Sequence, residues 1–224
     1  MFANWRTKRR ETKYMITEYQ YSILRSLLGA IMDRDSNADE SGEYFVRSLY
    51  FDSLNRRDFH EKEMGMNHRR KIRFRFYSKK PKILKFEVKE KVNKHTLKQS
   101  IAMDLNSAMD FFALDFSTLE NEYMRLYDHM KTFIYRPSIL IDYEREAYVS
   151  DMFNLRINFD KNIRGCSDPE SWLLEDPFMI PLIDAGMMIL EVKHDGHIPE
   201  YIQSILASVD LTSISYSKYY LGGL

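Results

Sequence analysis

The chain has 224 residues, which is enough for one sizeable domain with its own core. Its formal net charge of +0 at pH 7 excludes a general electrostatic attraction to nucleic acid or to a membrane surface. Cys166 is the only cysteine, so the chain cannot form an internal disulfide, and its first residues contain no apolar segment typical of secretory signals; both features predict a cytoplasmic protein.

The chain begins with a predicted strand at 8–15, followed by a predicted helix at 17–32. Successive side chains of a strand point to opposite faces, so the charged residues of this first strand share one face. They are Arg9, Glu11 and Lys13. Thr17 is a residue type that caps helix N-termini, and apolar residues at helical spacing follow it. The next strand is predicted at 44–52.

The three strands predicted next lie in a strongly cationic segment. From Arg56 to Lys98 the chain carries 16 Lys or Arg residues and 5 Asp or Glu residues. Within it, KIRFRFY (71–77) and KFEVKEK (85–91) alternate charged with apolar side chains, which is typical of strands with one face against a core. The strands are predicted at 70–78, 82–92 and 96–104. Their charged faces carry Lys71, Arg73, Arg75, Lys85, Glu87, Lys89 and Lys91.

The second half of the chain adds helices and further strands of the same pattern. Ser117 and Glu120 have the spacing of a capping box ahead of an amphipathic segment, and Pro199 suits the first turn of another helix. Residues 164–186 contain several prolines and predict a long loop or short helical pieces. The further strands are predicted at 138–148, 153–160, 187–194 and 213–217. Their charged faces carry Arg145, Arg156, Asn158, Asp160, Glu191 and Lys193.

These elements predict an α+β fold with eight or nine mostly antiparallel strands and several amphipathic helices. An open sheet packed on helices would leave its charged face in water. A sheet closed into a barrel would turn the charged faces inward and form a cationic tunnel. Confined cations repel one another and are costly to desolvate, so a tunnel of this kind needs an anion of high charge density, such as polyphosphate or the tail of a nucleoside triphosphate. The residues alone leave both architectures open.

A series of short motifs, in order along nearly the whole chain, resembles the catalytic domain of the VTC polyphosphate polymerases in the triphosphate-tunnel (CYTH) superfamily. The motifs are RRETKYMIT, RSLYFDS, KIRFRFY, KFEVKEK, YEREAY, LRINFD, ILEVKHDG and SYSKYYLG. The resemblance implies one domain over 1–224, built as a closed antiparallel β-barrel of about eight strands with amphipathic helices packed outside. Because the sequence shows no regulatory SPX domain and no membrane segments, we expect a stand-alone version of bacterial type.

The same resemblance implies which residues bind phosphate, and Lys91 and Lys193 join them because they share the charged faces of these strands. The expected phosphate-binding residues are Lys13, Arg73, Arg75, Lys89, Lys91, Lys98, Arg145, Arg156, Lys193 and Lys218. The residues expected to act in catalysis are Arg73, Arg75, Lys89 and Glu191. Glu191 matches the glutamate that holds a divalent metal in that family, usually manganese, so the expected cofactor is Mn²⁺ or Mg²⁺.

The predicted function is therefore a metal-dependent polyphosphate polymerase, which transfers the terminal phosphoryl group of a nucleoside triphosphate such as ATP to a growing polyphosphate chain. The expected partners are these two phosphate compounds, with no specific nucleic acid and no membrane segment. Two alternatives stay open: a triphosphatase of the same superfamily, and a module that binds polyphosphate or another polyanion without catalysis. Triphosphatases tend to carry E-x-E-x-K where this chain has Arg9, Glu11 and Lys13, which favours binding of a chain over activation of water.

Overall fold

The computed structural model describes residues 10–93, 95–120 and 123–223. The strands are β1 (Arg10–Thr17), β2 (Asp33–Arg34), β3 (Glu43–Asp52), β4 (His68–Phe76), β5 (Ile83–Val92), β6 (His95–Asp104), β7 (Arg136–Ser150), β8 (Leu155–Cys166), β9 (Ile180–Pro181) and β10 (Met187–His194). The α-helices are α1 (Glu18–Gly29), α2 (Arg57–Glu63), α3 (Leu105–Phe112), α4 (Met124–Thr132), α5 (Glu200–Leu206) and α6 (Lys218–Gly222). This confirms the predicted α+β class.

All strands belong to one antiparallel sheet, in the order β1-β10-β8-β7-β3-β4-β5-β6, with β2 added to β7 and β9 to β8. Within the described residues, β1 and β6 do not hydrogen-bond to each other, so the main chain does not close the barrel that the resemblance implied. The free edge of β1 is instead used by the C-terminal segment. Ser213 forms an isolated bridge with Tyr14, and the Ile214 N–H donates to the Lys13 carbonyl at 2.8 Å.

The sheet nevertheless curls strongly. Glu11 on β1 and Lys89 on β5, which lie near opposite ends of the strand order, form an ion pair with 3.2 Å between Oε2 and Nζ. The charged faces of the strands therefore surround a common interior, and the face that lines it is called the inner face below. Side-chain contacts across this interior take the place of a continuous hydrogen-bond ladder.

Two apolar cores cover the outer face. One packs β3, β4 and β5 against α3 and α4, with Phe74, Phe86 and Phe111 at its centre. The other packs β7, β8 and β10 against α1 and α5. In α1 the predicted cap is present: the Thr17 side chain accepts from the Gln20 N–H, and the Gln20 side chain accepts from the Thr17 N–H in return. Burial of the apolar face thus turns the charged face inward.

A third apolar cluster lies on the inner face, at the end of the interior next to α6. It contains Tyr50, Ile139, Ile141 and Tyr219. Helix α6 approaches β7 so closely that a Cβ added at Gly222 would stand 2.6 Å from the Cδ1 atoms of both isoleucines. Side chains of this cluster therefore pack directly against α6, and a side chain at position 222 would require both isoleucines to shift.

Most predicted strands are present with shifts of a few residues at their ends, but two predictions are wrong. Residues 213–217 form no strand, because the single bridge at Ser213 is followed by irregular chain that leads into α6. Ser117 and Glu120 do not form a capping box: a short 3₁₀ turn spans Ser117–Leu119, and α4 begins only at Met124. Helices α2, α3 and α6 were not predicted. Residues 8 and 9 of the first predicted strand, including Arg9, lie outside the described residues.

None of the helices in the described part of the chain is long and apolar enough to cross a bilayer.

Candidate functional site

The alternation of β4 and β5 places their charged side chains on the inner face. Phe74 and Phe86 are buried in the outer core, with at most 1% of their surface exposed, and Arg73 therefore points inward. The strands pair antiparallel with Arg73 opposite Glu87. A carboxylate thus lies directly across from an arginine in the interior, which the sequence pattern of either strand alone does not reveal.

Glu87 binds three of the predicted phosphate-binding cations. Its Oε2 accepts from Arg73 at 2.6 Å and lies 3.8 Å from Arg75 Nε, while its Oε1 lies 2.6 Å from Lys98 Nζ. Burial alone would raise the pKa of Glu87, but these three cations hold it well below its ordinary value. Glu87 therefore stays ionised and acts as a shared internal partner for Arg73, Arg75 and Lys98.

Glu191 is the centre of a second group. Its Oε2 lies 2.9 Å from Lys193 Nζ and 3.5 Å from Arg145, and its Oε1 lies 3.6 Å from Lys13 Nζ. Asn158 donates a further hydrogen bond to Oε2 at 3.2 Å. Despite burial, which opposes ionisation, Lys193 and Lys13 keep the pKa of Glu191 well below its usual range. Burial lowers the pKa of Lys193 to about 8, even though Glu191 is adjacent.

Asp160 connects the Glu191 group to α6. It is fully buried and forms a bidentate pair with Arg145, at 2.6 and 2.9 Å, and Lys218 at the start of α6 reaches the same carboxylate at 2.5 Å. Burial opposes the ionised form of Asp160, but Arg145 and Lys218 together keep its pKa well below the ordinary value. Arg145 is thus shared between Asp160 and Glu191.

The other predicted residues lie around these groups. Glu11 contacts both Lys13 and Lys89 at 3.2 Å, so it links the first strand to β5. Arg156 pairs with Asp35 and donates to Tyr44 Oη at 2.8 Å. The structure does not bring Lys91 into the cluster. That residue lies near the end of β5 and forms no ion pair with the described residues.

Several polar residues of the inner face were missing from the predicted set. Arg73 donates to Tyr50 Oη at 3.0 Å and Arg75 donates to Tyr143 Oη at 3.1 Å, so both tyrosines orient arginines as well as pack. Ser48 lies opposite Arg75 in the β3–β4 register. The Ser48 hydroxyl and the Arg75 Nε are buried without a hydrogen-bond partner in the described residues. Strand alternation could have placed all of them on the inner face, but it could not have assigned their contacts.

The carboxylates of the inner face can supply only some of the ligands that a divalent cation needs. No group of three or more His, Cys, Asp or Glu side chains in the described ranges could hold a metal ion. Glu191 and Glu11 are close enough for both to contact Lys13. An ion such as Mg²⁺ is usually held by one or two carboxylates, and substrate phosphates and water complete its coordination shell. The residues therefore fit a metal ion that arrives with a phosphate ligand, and they do not form a closed metal cage.

Chemically, the interior is suited to bind an extended polyanion. Its cations come from β1, β4, β5, β6, β7, β8, β10 and α6, so they are spread along and around the interior. Arginines offer planar paired donors to phosphate oxygens and lysines offer point charges. No nucleophilic side chain is needed for an anion to bind there.

Solved structures and a family model are similar to this chain. A crystal structure of a "putative adenylate cyclase" from Bacillus halodurans has a similar fold, with a TM-score of 0.53 at 13% identity, covering 94% of this chain and 95% of that chain. The PH1819 protein from Pyrococcus horikoshii OT3 gives a TM-score of 0.49 at 10% identity, covering 95% and 97%. None of the curated proteins matches the sequence significantly. The family model of the VTC domain matches residues 8–223, and the chain therefore belongs to the VTC domain family.

Proposed function

We propose that this protein is a metal-dependent phosphotransferase that extends polyphosphate with the terminal phosphoryl group of a nucleoside triphosphate. The observation that carries the proposal is the concentration of arginines and lysines on the inner face, where they outnumber the carboxylates that pair with them. Membership of the VTC domain family supports a phosphate-chain ligand for these cations. The unpartnered Arg75 Nε and Ser48 hydroxyl support it further, because buried polar groups are normally satisfied.

The chemistry asks little of the protein beyond alignment and neutralisation of charge. A terminal oxygen of the polyphosphate chain attacks the γ-phosphorus of the nucleotide, a new P–O bond forms, and the bond to the β-phosphate oxygen breaks to release the nucleoside diphosphate. Arg73 and Arg75 would hold phosphate oxygens near the reacting centre, and Lys89 would offset the charge that develops there. Lys13, Lys98, Arg145, Arg156, Lys193 and Lys218 would position the remainder of the chain.

Glu191, with Glu11 beside it, would hold the Mn²⁺ or Mg²⁺ ion. When bound, the ion would supply positive charge that offsets the negative charge of the phosphates. Glu191 contacts Lys193 and Lys13, and if it held the ion instead, these two lysines would be available to phosphate oxygens.

One observation favours a second candidate, a triphosphatase. Tyr219 and its apolar neighbours occupy part of the interior beside α6, which leaves less length there for an anion. A triphosphate tail needs less length than a polyphosphate chain. A module that binds polyphosphate or another polyanion without catalysis is the third possibility, and the experiment below also detects it.

The discriminating experiment incubates the protein with ATP and Mn²⁺ and measures both chain products on a gel and released orthophosphate. Polymerase activity predicts long chains with one ADP formed for each phosphoryl group transferred. Orthophosphate without chains would identify a triphosphatase. Tight binding of tripolyphosphate with neither product would identify a binding module, and no binding would refute the proposed function altogether.

A Glu191→Gln variant tests the assignment of the metal. We expect it to lose metal-stimulated phosphoryl transfer and to keep both its fold and metal-free tripolyphosphate binding, because removing one negative charge leaves Lys13, Lys193 and Arg145 more available to the anion. Turnover is measured against Mn²⁺ concentration.

The matched control is Glu90→Gln, because Glu90 pairs with His68 and Arg70 and not with the cations of the Glu191 group. It should retain the wild-type metal dependence. An unchanged Mn²⁺ curve in Glu191→Gln would remove Glu191 from the metal site.

A further inference from the structure

Lys71 differs from the other cations of the inner face. It lies on β4 two residues before Arg73, and its Nζ donates to the Ser217 hydroxyl at 2.7 Å. None of the carboxylates in the described ranges pairs with it, whereas Glu87 serves Arg73 and Glu11 serves Lys13 and Lys89. Strand alternation predicts that Lys71 lies on the charged face, but the resemblance to the VTC polyphosphate polymerases implied no role for it.

The charged groups that act most strongly on Lys71 are positive, and the nearby carboxylate of Glu11 is already paired with Lys13 and Lys89. Burial, followed by Lys13 on β1, Lys89 on β5, Arg73 on its own strand and Lys62 on α2, lowers the pKa of Lys71 well below its usual value. An ammonium group among these neighbours is costly unless an anion is present. The uncharged hydroxyl partner of the amine and the excess of positive charge around it both point to an anion as the component that would stabilise the charged amine.

Ser217 does not supply that component. Its hydroxyl accepts from the Tyr220 N–H at 3.3 Å, and so caps α6, while it also receives the hydrogen from Lys71. A hydroxyl oxygen offers lone pairs but no negative charge. A phosphate oxygen at this place would offer both, and it would lie within the ring of Lys13, Lys89 and Arg73, which are already assigned to phosphate.

We propose that Lys71 is a further phosphate-binding residue, at the α6 end of the inner face, and that it takes up a proton together with the anion. This inference rests on the proposed function only in so far as the inner face binds a phosphate chain. It adds a property to the site: binding of an anion at Lys71 consumes protons, so affinity for the anion falls as pH rises.

The test is isothermal titration calorimetry of the metal-free protein with tripolyphosphate at pH 8, in two buffers of different ionisation enthalpy. The difference in binding heat gives the number of protons taken up. Wild type is compared with Lys71→Arg and Lys71→Met, and with Lys131→Met on the outer helix α4 as a control. The anion and the other phosphate-binding lysines with lowered pKa values, Lys193 and Lys98, are present in all four proteins, so differences between proteins report on Lys71.

We expect Lys131→Met to match wild type in affinity and proton uptake. Lys71→Arg should keep the affinity and take up fewer protons, because arginine is already charged. Lys71→Met should also take up fewer protons and bind roughly tenfold to hundredfold more weakly, the scale of one charge-assisted hydrogen bond. Equal proton uptake in wild type and Lys71→Arg, or unchanged affinity in Lys71→Met, would overturn the inference and leave the proposed function standing. Failure of the wild type to bind tripolyphosphate would refute both.

Discussion

Arg75 and Phe74 are neighbours in sequence with opposite surroundings. Phe74 is fully buried and contacts Phe51, Phe111 and Trp172 at ring-centroid distances of 5.0, 5.3 and 6.0 Å. Arg75 points into the interior, where it donates to Tyr143 and stays 3.8 Å from Glu87. The first residue holds the sheet to its helices, and the second is available to a ligand.

Substitution of each residue by alanine should separate these roles. Phe74→Ala should lower the free energy of unfolding by about 3–5 kcal/mol, the usual cost of removing a buried phenylalanine side chain. Arg75→Ala should leave stability nearly unchanged and weaken tripolyphosphate binding by about 1.5–3 kcal/mol. Urea unfolding and calorimetry measure the two quantities. Intact ligand affinity in Arg75→Ala would show that Arg75 does not bind the anion.

Asp58 is a buried acid outside the candidate site. Its Oδ1 accepts from the Tyr135 hydroxyl at 2.9 Å, and its Oδ2 has no hydrogen-bond partner in the described residues. Burial, and next the nearby carboxylate of Asp52, raise the pKa of Asp58 to about 8. The folded protein therefore holds a proton on Asp58 at pH values where the unfolded chain has lost it.

The sign of the pH dependence follows from this shift. Because the folded state binds the extra proton, the contribution of Asp58 to stability is complete below about pH 4 and is lost as pH rises towards 8. Asp58→Asn should therefore be more stable relative to wild type at pH 8 than at pH 4. Chemical unfolding at both values measures this, with the exposed Asp128→Asn as control. If the free energy of unfolding changed equally in wild type and Asp58→Asn between pH 4 and pH 8, the raised pKa of Asp58 would be contradicted.

At the scale of elements, α6 is short but firmly anchored. Tyr219 is buried, its ring stacks on Tyr50 at 5.1 Å, and its hydroxyl donates to Asp52, which also accepts backbone N–H groups at the start of α2. Five residues are too few to form a stable helix in isolation. Tertiary contacts therefore hold α6, and they hold it inside the curl of the sheet.

A tyrosine pair within α6 tests this anchoring. Tyr219→Phe should lower the free energy of unfolding by about 1.5–3 kcal/mol, because it removes a hydrogen bond to a buried carboxylate. Tyr220→Phe should have an effect of less than about 0.5 kcal/mol, since its hydroxyl makes only an exposed contact of 3.5 Å to Glu63. Thermal or urea unfolding of both variants measures the difference. Equal effects would show that Asp52 does not anchor the helix.

At the scale of the whole molecule, the spread of cations over many strands predicts a preference for long anions. Thermal stabilisation should increase from phosphate to pyrophosphate to tripolyphosphate at equal concentration, since a longer anion reaches more cations and binds only the folded state. ATP and GTP should stabilise equally, because no group that reads a base is apparent among the described residues of the inner face. Thermal shift measurements check both trends. Strong preference for one nucleoside with no response to tripolyphosphate would contradict them.

Sequence alternation was sufficient to place Arg73 and Glu87 on the inner face, because both strands are regular and amphipathic. It failed where the backbone is irregular. In β8, Asn162 has a φ of 50° and the register with β7 shifts nearby, so Asp160 and Ile163 share the inner face although they are three residues apart. The predicted strand accordingly stopped at 160, whereas β8 continues to Cys166.

The pairing of charges was beyond prediction from sequence for a different reason. The partner of Arg156 is Asp35, more than a hundred residues away, and Lys218 reaches Asp160 only because α6 folds into the interior. No local pattern encodes either contact. The family resemblance supplied Lys218 as a candidate, but the position of α6 had to come from the structure.

The shared carboxylate of Glu87 has a consequence for which anions can enter. Glu87 and the other carboxylates of the interior already act as counterions to its arginines and lysines. A monovalent ion such as chloride would have to displace a carboxylate that is tethered in place and therefore present at high effective concentration. An anion with several linked charges can replace the contacts of Glu87, Glu191 and Glu11 together, and it loses its translational freedom only once. We therefore expect the interior to select anions by valence and to bind monovalent ions such as chloride weakly.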